Sequence, residues 1–461
     1  MIFETQKKEQ MNLTRKFTLI AAATFPTLAS CEVKMPAVFN SHMVLQRDSP
    51  LKVWGSADPG EKVVVSIGGS TSKTTADGEG QWAVEIPAMK DDGGKPHQLK
   101  ISGTNEIVIE DVLIGDVWIG SGQSNMEWSL KGSAQSNEFI AKANHDKIRL
   151  FHIPKVKANA PTTDVKATWK TCNSANVPNF SAVLYQFGRR LHEESEIPIG
   201  LINSSWGGSP IEPWIVGEKS SGEMYNGMIA PITQFGVRGT IWYQGETNVI
   251  NKNGLSYTGK MKDLIEGWRR VFENKDMPFY FVQIAPWGNT RYADGELPSL
   301  WEAQCATLKI PNTGMVVTTD LVDNIEDIHP RNKHDVGARL ARWSLARDYG
   351  KKDVIVSGPL YKGMKAEGSK IRLEFAHTAK GLKSSDKKPL SEFQVAGADG
   401  NFVPATAVIS DNSVLVSAEG VKSPKQVRFG WHRSANPNLV NTEGLPASPF
   451  QTKNWTGGTG E

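Results

Sequence analysis

The sequence predicts an α/β protein, built on a parallel sheet wrapped by helices on both faces and flanked on either side by all-β stretches. Compact apolar runs at 112–119, 148–152, 197–202, 237–243, 279–284 and 315–317 are the first observation. Strands buried on both faces read as such runs and not as alternation. The second is helical periodicity between the runs: Met261, Leu264, Ile265, Trp268, Val271 and Phe272 form one stripe, and Val336, Leu340 and Trp343 another. Strands alternating with helices argue a parallel sheet, whose sites lie beyond the carboxyl ends of its strands. The third is the return of period-two patterning outside about 111–349.

Taken in chain order, Arg15-Lys16 precedes an apolar run from Phe17 to Leu28, followed by Leu28-Ala29-Ser30-Cys31. This order is that of a secretory signal, and the last four residues resemble the lipobox of bacterial lipoproteins, in which the Cys is lipidated. The run is too short for a permanent membrane span. Residues 1–10 are polar, which makes Met11 a candidate start. From about 35 to 105, Val63, Val65, Ile67 and Trp82, Val84, Ile86 alternate between turns at Asp58-Pro59-Gly60 and Asp77-Gly78, the mark of antiparallel β structure. After 353 the strands recur around 371–375, 413–416 and 427–431, and the Gly-rich tail after Trp455 is expected to fray.

Lys plus Arg total 52 against 49 for Asp plus Glu, a net charge of +3 that gives no field for nucleic acid or anionic membrane. Past Cys31 only Cys172 and Cys305 remain, too few for a disulfide framework, and their pairing is left open. No His-Glu-x-x-His, Cys-x-x-Cys pair, phosphate loop or dinucleotide fingerprint is present, so no metal and no cofactor is expected.

Four segments that follow apolar runs could carry chemistry. Gly120-Ser121-Gly122-Gln123-Ser124-Asn125 puts a Ser on a tight turn entering a helix, where backbone N–H groups can hold an anion. It is not the Gly-x-Ser-x-Gly elbow, and such a segment alone is usually only a turn or cap. Glu326-Asp327-Ile328-His329-Pro330 offers a base, with Asp327 or Glu326 to fix its tautomer; His334 begins a helix and is read as structural. Asn203-Ser204-Ser205-Trp206-Gly207-Gly208-Ser209 allows close backbone approach, and Gln244 and Asn248 in Tyr243-Gln244-Gly245-Glu246-Thr247-Asn248 offer side-chain donors. Each is weak alone; nucleophile, amides, donor and acid-His on one sheet edge form a set.

These segments, with Phe180-Ser181-Ala182, Gly207-Gly208-Ser209-Pro210-Ile211-Glu212-Pro213-Trp214, Tyr225-Asn226-Gly227-Met228 and Gly444-Leu445-Pro446-Ala447-Ser448-Pro449-Phe450, resemble the sialate O-acetylesterase group of the SGNH hydrolases. The resemblance covers nearly everything after the leader. It implies a flavodoxin-like three-layer α/β/α SGNH domain at 109–350, flanked by β-sandwich-type regions at 32–108 and 351–461, behind a signal with lipobox at 1–31. It implies hydrolysis of O-acetyl esters on sugars, with Ser124 as nucleophile, His329 as base and Asp327 as its orienting acid. Oxyanion donors would be the amides of Ser124 and Gly207; since Glu246 falls where the superfamily supplies an Asn, the side-chain donor is assigned to Gln244, with Asn248 in reserve. Asn226, Glu246 and Trp128 are expected to touch an acetylated sugar or glycan, with Arg291 and Trp287 as further loop candidates. Alternatives are an acetylesterase acting on xylan or xyloglucan, and a non-catalytic glycan-binding surface lipoprotein. Localisation follows as exported, periplasmic or cell-surface, touching the membrane only through Cys31; the oligomeric state stays open.

Overall fold

The computed structural model describes residues 32–217 and 220–460, so the expected leader and Cys31 lie outside the described residues. A mixed sheet forms the centre. Its order is Thr313–Val316, Phe279–Val282, Gly239–Tyr243, Glu106–Gly122, Ile199–Ser205, Asn144–His152, Trp169–Asn173. Every neighbouring pair is parallel except the last, where Trp169–Asn173 closes the edge antiparallel. The six apolar runs all fall on parallel strands; the antiparallel edge carries no such run and was not expected.

The chain leaves Glu106–Gly122, builds the sheet outward on one side, returns to Ile199–Ser205, and then continues from Gly239–Tyr243 on the other. The order therefore reverses at the central strand, opening a crevice at its carboxyl end. Phe279 and Tyr280 show that both faces are covered. Adjacent strand residues point to opposite faces: Phe279 meets Trp268 of the helix Tyr257–Val271 with ring centroids 6.1 Å apart, and Tyr280 stacks on Trp343 of the helix Lys333–Arg347 at 6.3 Å. Gly314 leaves room for Trp343, since a Cβ there would lie 2.4 Å from its ring. The helix Glu296–Thr307 is buried nearly all round, which explains why no stripe marks it in the sequence.

Both helical stripes and both alternating β stretches are realised: Lys62–Ile67 and Gln81–Ile86 bury every second residue. The strand Glu106–Gly122 runs through position 108, pairing with His97–Ser102 in its first half and with the central strands in its second. The core from Val33 to Leu360 is accordingly continuous, while residues between Tyr361 and Phe450 form a second cluster beneath two four-stranded sheets. This C-terminal region is docked by polar contacts. Arg433 donates to the carbonyls of Gly288 and Tyr292 and pairs with Asp294, and Gln283 donates to Ser448 Oγ at 2.9 Å. The tail expected to fray is held instead: Gly458 N donates to Cys305 O at 2.9 Å, and the carbonyls of Thr459 and Gly460 bond His377 and Arg347. Cys172 and Cys305 are separate buried thiols, each pushed up to about 12 by burial. No helix among the described residues is long and apolar enough to cross a membrane.

Trp268 is fully buried, meets Trp242 and Phe279 edge-on, and donates to Trp214 O at 3.0 Å. Trp268→Ala should cost about 3–5 kcal/mol in urea unfolding, whereas Leu255→Ala, 56% exposed, should fall within about 0.5 kcal/mol of wild type. Equal losses would contradict this packing.

Candidate active site

At the carboxyl end of the central strand, Gly122 has φ +132°, and a Cβ there would sit 2.2 Å from Tyr243 O. Only glycine fits so close a turn. Gln123 N donates back to Tyr243 O at 3.0 Å, and Ser124 opens the short helix Ser124–Glu127. The amides of Met126 and Glu127 bond Gln123 O, while those of Ser124 and Asn125 have no helical acceptor ahead of them. Gln123 also ties this turn to the next strand end, its Oε1 accepting from Gln244 Nε2 at 3.0 Å and from the amides of Gly245 and Thr247.

His329 lies on the turn before the helix Lys333–Arg347, and its Nε2 is 2.9 Å from Ser124 Oγ. Asp327 Oδ1 accepts the His329 amide at 2.9 Å and stands 3.5 Å from Nδ1. The latter is long for a hydrogen bond. Trp128 stacks on the imidazole, centroids 4.8 Å apart and planes 24° from parallel. Glu326 faces elsewhere: its Oε1 would lie 3.1 Å from a Cβ on Gly288, and its carbonyl accepts from Trp287 Nε1. Asp327, not Glu326, is the carboxylate beside the ring. Burial pulls the imidazole below its usual 6.5, Lys333 adds to this, and Asp327 opposes it. With the proton on Nδ1, facing Asp327, Nε2 presents a lone pair to the Ser124 hydroxyl and can accept its proton.

Several expected roles require correction. Gln244 is fully buried, with its Nε2 committed to Gln123 Oε1, Ser209 O and Asn248 Oδ1, and its Oε1 accepting from Tyr257. It has no donor to spare for an oxyanion. Asn248 is equally spent, on Glu212 and Asn253. The Gly207 amide donates to Glu127 Oε2 at 2.5 Å, and Glu127 Oε1 pairs with Lys155 at the same distance. Of the three expected donors, Ser124 N alone has no acceptor here.

Glu246, expected at the substrate, is 1% exposed and lies behind the Ser124 turn, accepting from Asn125 Nδ2 at 2.6 Å. Asn226 donates to Ala158 O, and its carbonyl accepts from Thr162; it holds a loop and contacts neither Ser124 nor His329. Trp287 is buried, with Arg291 4.8 Å above its ring. His334 pairs loosely with Asp335 within its own helix, in keeping with a structural role.

Sequence reasoning missed Asn125, Glu127 and Lys333. Lys333 is fully buried, its Nζ donating to Asn125 Oδ1 and Pro330 O at 2.5 Å each, and burial draws its ammonium down to about 7. The Asn125 beside Ser124 in the Gly120–Asn125 segment was the available signal. Near the same mouth, Lys155 and Lys157 each stand 5.9 Å from the Trp206 ring. Among the described residues no group of three or more His, Cys, Asp or Glu could hold a metal ion.

Comparison with known proteins adds to this geometry. A family model described as a carbohydrate esterase, sialic acid-specific acetylesterase, matches residues 114–346. The chain is 31% identical over 385 residues to the sialate O-acetylesterase of Homo sapiens, spanning 71% of this chain and 73% of that protein. Against the Pongo abelii sialate O-acetylesterase it is 28% identical, spanning 90% and 92%. Among solved structures, a carbohydrate acetylesterase from Xanthomonas citri superposes with a TM-score of 0.88 at 37% identity, over 92% of this chain and 100% of that one.

The depressed proton affinity of His329 is directly measurable. In a 13C-histidine NMR titration, with the resonance assigned from His329→Asn, the ring should titrate below pH 6.5. Because the unfolded ring binds a proton more readily, this group removes stability as pH falls from 6.5 through its folded value, and costs nothing above. A midpoint at or above 6.5 would contradict the burial described.

Proposed function

Because this chain belongs to the sialic acid-specific acetylesterase family of carbohydrate esterases, and is thus a carboxylic ester hydrolase, we propose that it removes O-acetyl groups from sugars through Ser124, His329 and Asp327. The observation that carries the mechanism is the 2.9 Å contact between Ser124 Oγ and His329 Nε2. Ser124 Oγ attacks the acetyl carbonyl carbon as its proton passes to His329 Nε2. The bond to the sugar oxygen then breaks, and that oxygen takes the proton from Nε2. Water attacks the acetyl-enzyme, delivering a proton to His329, and acetate leaves as Ser124 recovers its hydrogen. Asp327 steadies the tautomer and the imidazolium, and Trp128 keeps the ring in plane.

The Ser124 amide is the first oxyanion donor. The Gly207 amide joins it once Glu127 withdraws toward Lys155, and each donor is worth about 2.7–4 kcal/mol in transition-state binding. Of the substrates to weigh, a sialate type is favoured over plant-wall xylan or xyloglucan. Lys155 and Lys157, paired with Glu127 and Glu223, each stand 5.9 Å from the Trp206 ring, next to Gly207, and cations beside an aromatic face suit a sugar whose carboxylate exchanges for one of those partners. The same reading describes residues 109–350 as a flavodoxin-like SGNH unit, with sandwich-type β regions at 32–108 and 351–461. It also takes the protein to be exported and anchored through Cys31; Cys31→Ser should abolish incorporation of labelled palmitate and release the protein from the membrane fraction.

Ser124→Ala should reduce acetate release on the order of 10⁶-fold without lowering the melting temperature. Asp327→Asn should cost roughly 10²–10⁴-fold and Glu326→Gln almost nothing. A fully active Ser124→Ala protein would refute the mechanism. Organophosphate labelling at Ser124 separates an enzyme from a glycan-binding module, which has no activated hydroxyl. Release from 9-O-acetyl sialate exceeding that from acetylated xylan supports the substrate proposed, and the reverse order replaces it.

A further inference from the structure

Lys333 is a buried cation that has no carboxylate in direct contact among the described residues. Its Nζ bonds Asn125 Oδ1, and Asn125 Nδ2 bonds Glu246 Oε1, so one amide stands between the two charges with its oxygen toward the cation and its nitrogen toward the anion. The other contacts of this group fall on either side of His329. Asn125 Nδ2 also donates to Ile328 O at 3.1 Å, and Lys333 Nζ to Pro330 O. We propose, resting on the Ser124–His329 reading above, that Lys333, Asn125 and Glu246 form a positioning unit that clamps the His329 turn against the nucleophile turn and tunes the base electrostatically.

Packing alone does not call for such a group. An unbranched apolar side chain would fill the Lys333 site without the desolvation that an ammonium suffers. What the amine adds is two carbonyl-type acceptors gripped at once, one on each turn, and a positive charge beneath the imidazole. The groups facing His329 are Ser124, Trp128, Asp327 and Lys333; those facing Lys333 are Glu246, Asp323 and Asp327, with the Trp128 and Tyr243 rings 5.9 and 5.7 Å away. Around Glu246 stand Asn125, Lys333, Tyr243, Tyr257 and Tyr292, and its Oε2 has no hydrogen-bond partner among the described residues. Lys333 opposes protonation of His329, and the carboxylate at 246 favours the charged form of Lys333. The unit therefore keeps the base neutral and in place at the pH where it must accept a proton.

The test uses the full chain, with 4-nitrophenyl acetate as probe, and compares wild type, K333M and E246Q for melting temperature, kcat, KM and the pH profile of kcat/KM. E246Q keeps an acceptor for Asn125 while removing the charge. Both variants should lose kcat about 10–100-fold with KM within about threefold. The acid limb of kcat/KM should move up by about half a pH unit or more in K333M, and in the same direction in E246Q, because the carboxylate at 246 favours the Lys333 ammonium. A variant that melts like wild type, keeps kcat within about twofold and leaves the acid limb unmoved overturns the proposal. If K333M does not fold, E246Q decides alone. An inactive wild type or an active S124A would instead sink the underlying reading, so the two failures are told apart.

Discussion

A single extended strand, Glu106–Gly122, sets the terms for the rest of the molecule. At about 3.3 Å per residue it spans on the order of 55 Å, and its backbone groups must find partners on both edges along that length. The N-terminal β stretch supplies them at one end, and Ile199–Ser205 and Gly239–Tyr243 at the other. Its final residue fixes where a nucleophile can stand, because the order of strands reverses on either side of it. The loops after both neighbours then open toward the same crevice. Ser124, Gly207 and Gln244 converge because they follow three adjacent strands, despite lying far apart in sequence.

His329 reaches this edge by another route. Its turn follows the outermost parallel strand, and it is drawn inward by bonds that bypass the intervening strands: Asn125 to Ile328 O, and Lys333 to Asn125 Oδ1. The imidazole is further confined by the Trp128 face, which belongs to the same segment as Ser124. Ser124 and His329 are thus held by a shared group of side chains and not by two separate scaffolds.

The architecture was legible because it is written in period and burial. Runs such as 112–119 and 279–284, and the stripe through Trp268, depend on average environment. The Ser124 turn and the His329 loop were legible for a related reason: each had the right residue types immediately after a strand. The side-chain donor was misjudged, and the engagement of the Gly207 amide unforeseen, because a sequence displays what a group can bond, not what it already bonds. Gln244 has two N–H donors on paper, but Ser209, Gln123 and Asn248 use them. Gly207 has the open backbone a donor amide needs, but Glu127 already fills it. Glu246 looked like a polar residue at a site mouth, and only its 1% exposure shows it lies behind the wall. Lys333 was invisible because a Lys at a helix start is ordinarily solvated, and nothing nearby in sequence announces a cavity around it.

The docking of the C-terminal β region has a consequence for how the surface can drift over time. Arg433 reaches the peptide oxygens of Gly288 and Tyr292, and Trp287 gives its own amide to the Arg433 carbonyl. Main-chain atoms are common to all residue types, so this part of the seam makes few demands on side-chain identity across from the arginine. Neighbouring loop positions are therefore free to diversify, and with them the rim of the crevice, while the two halves stay in register.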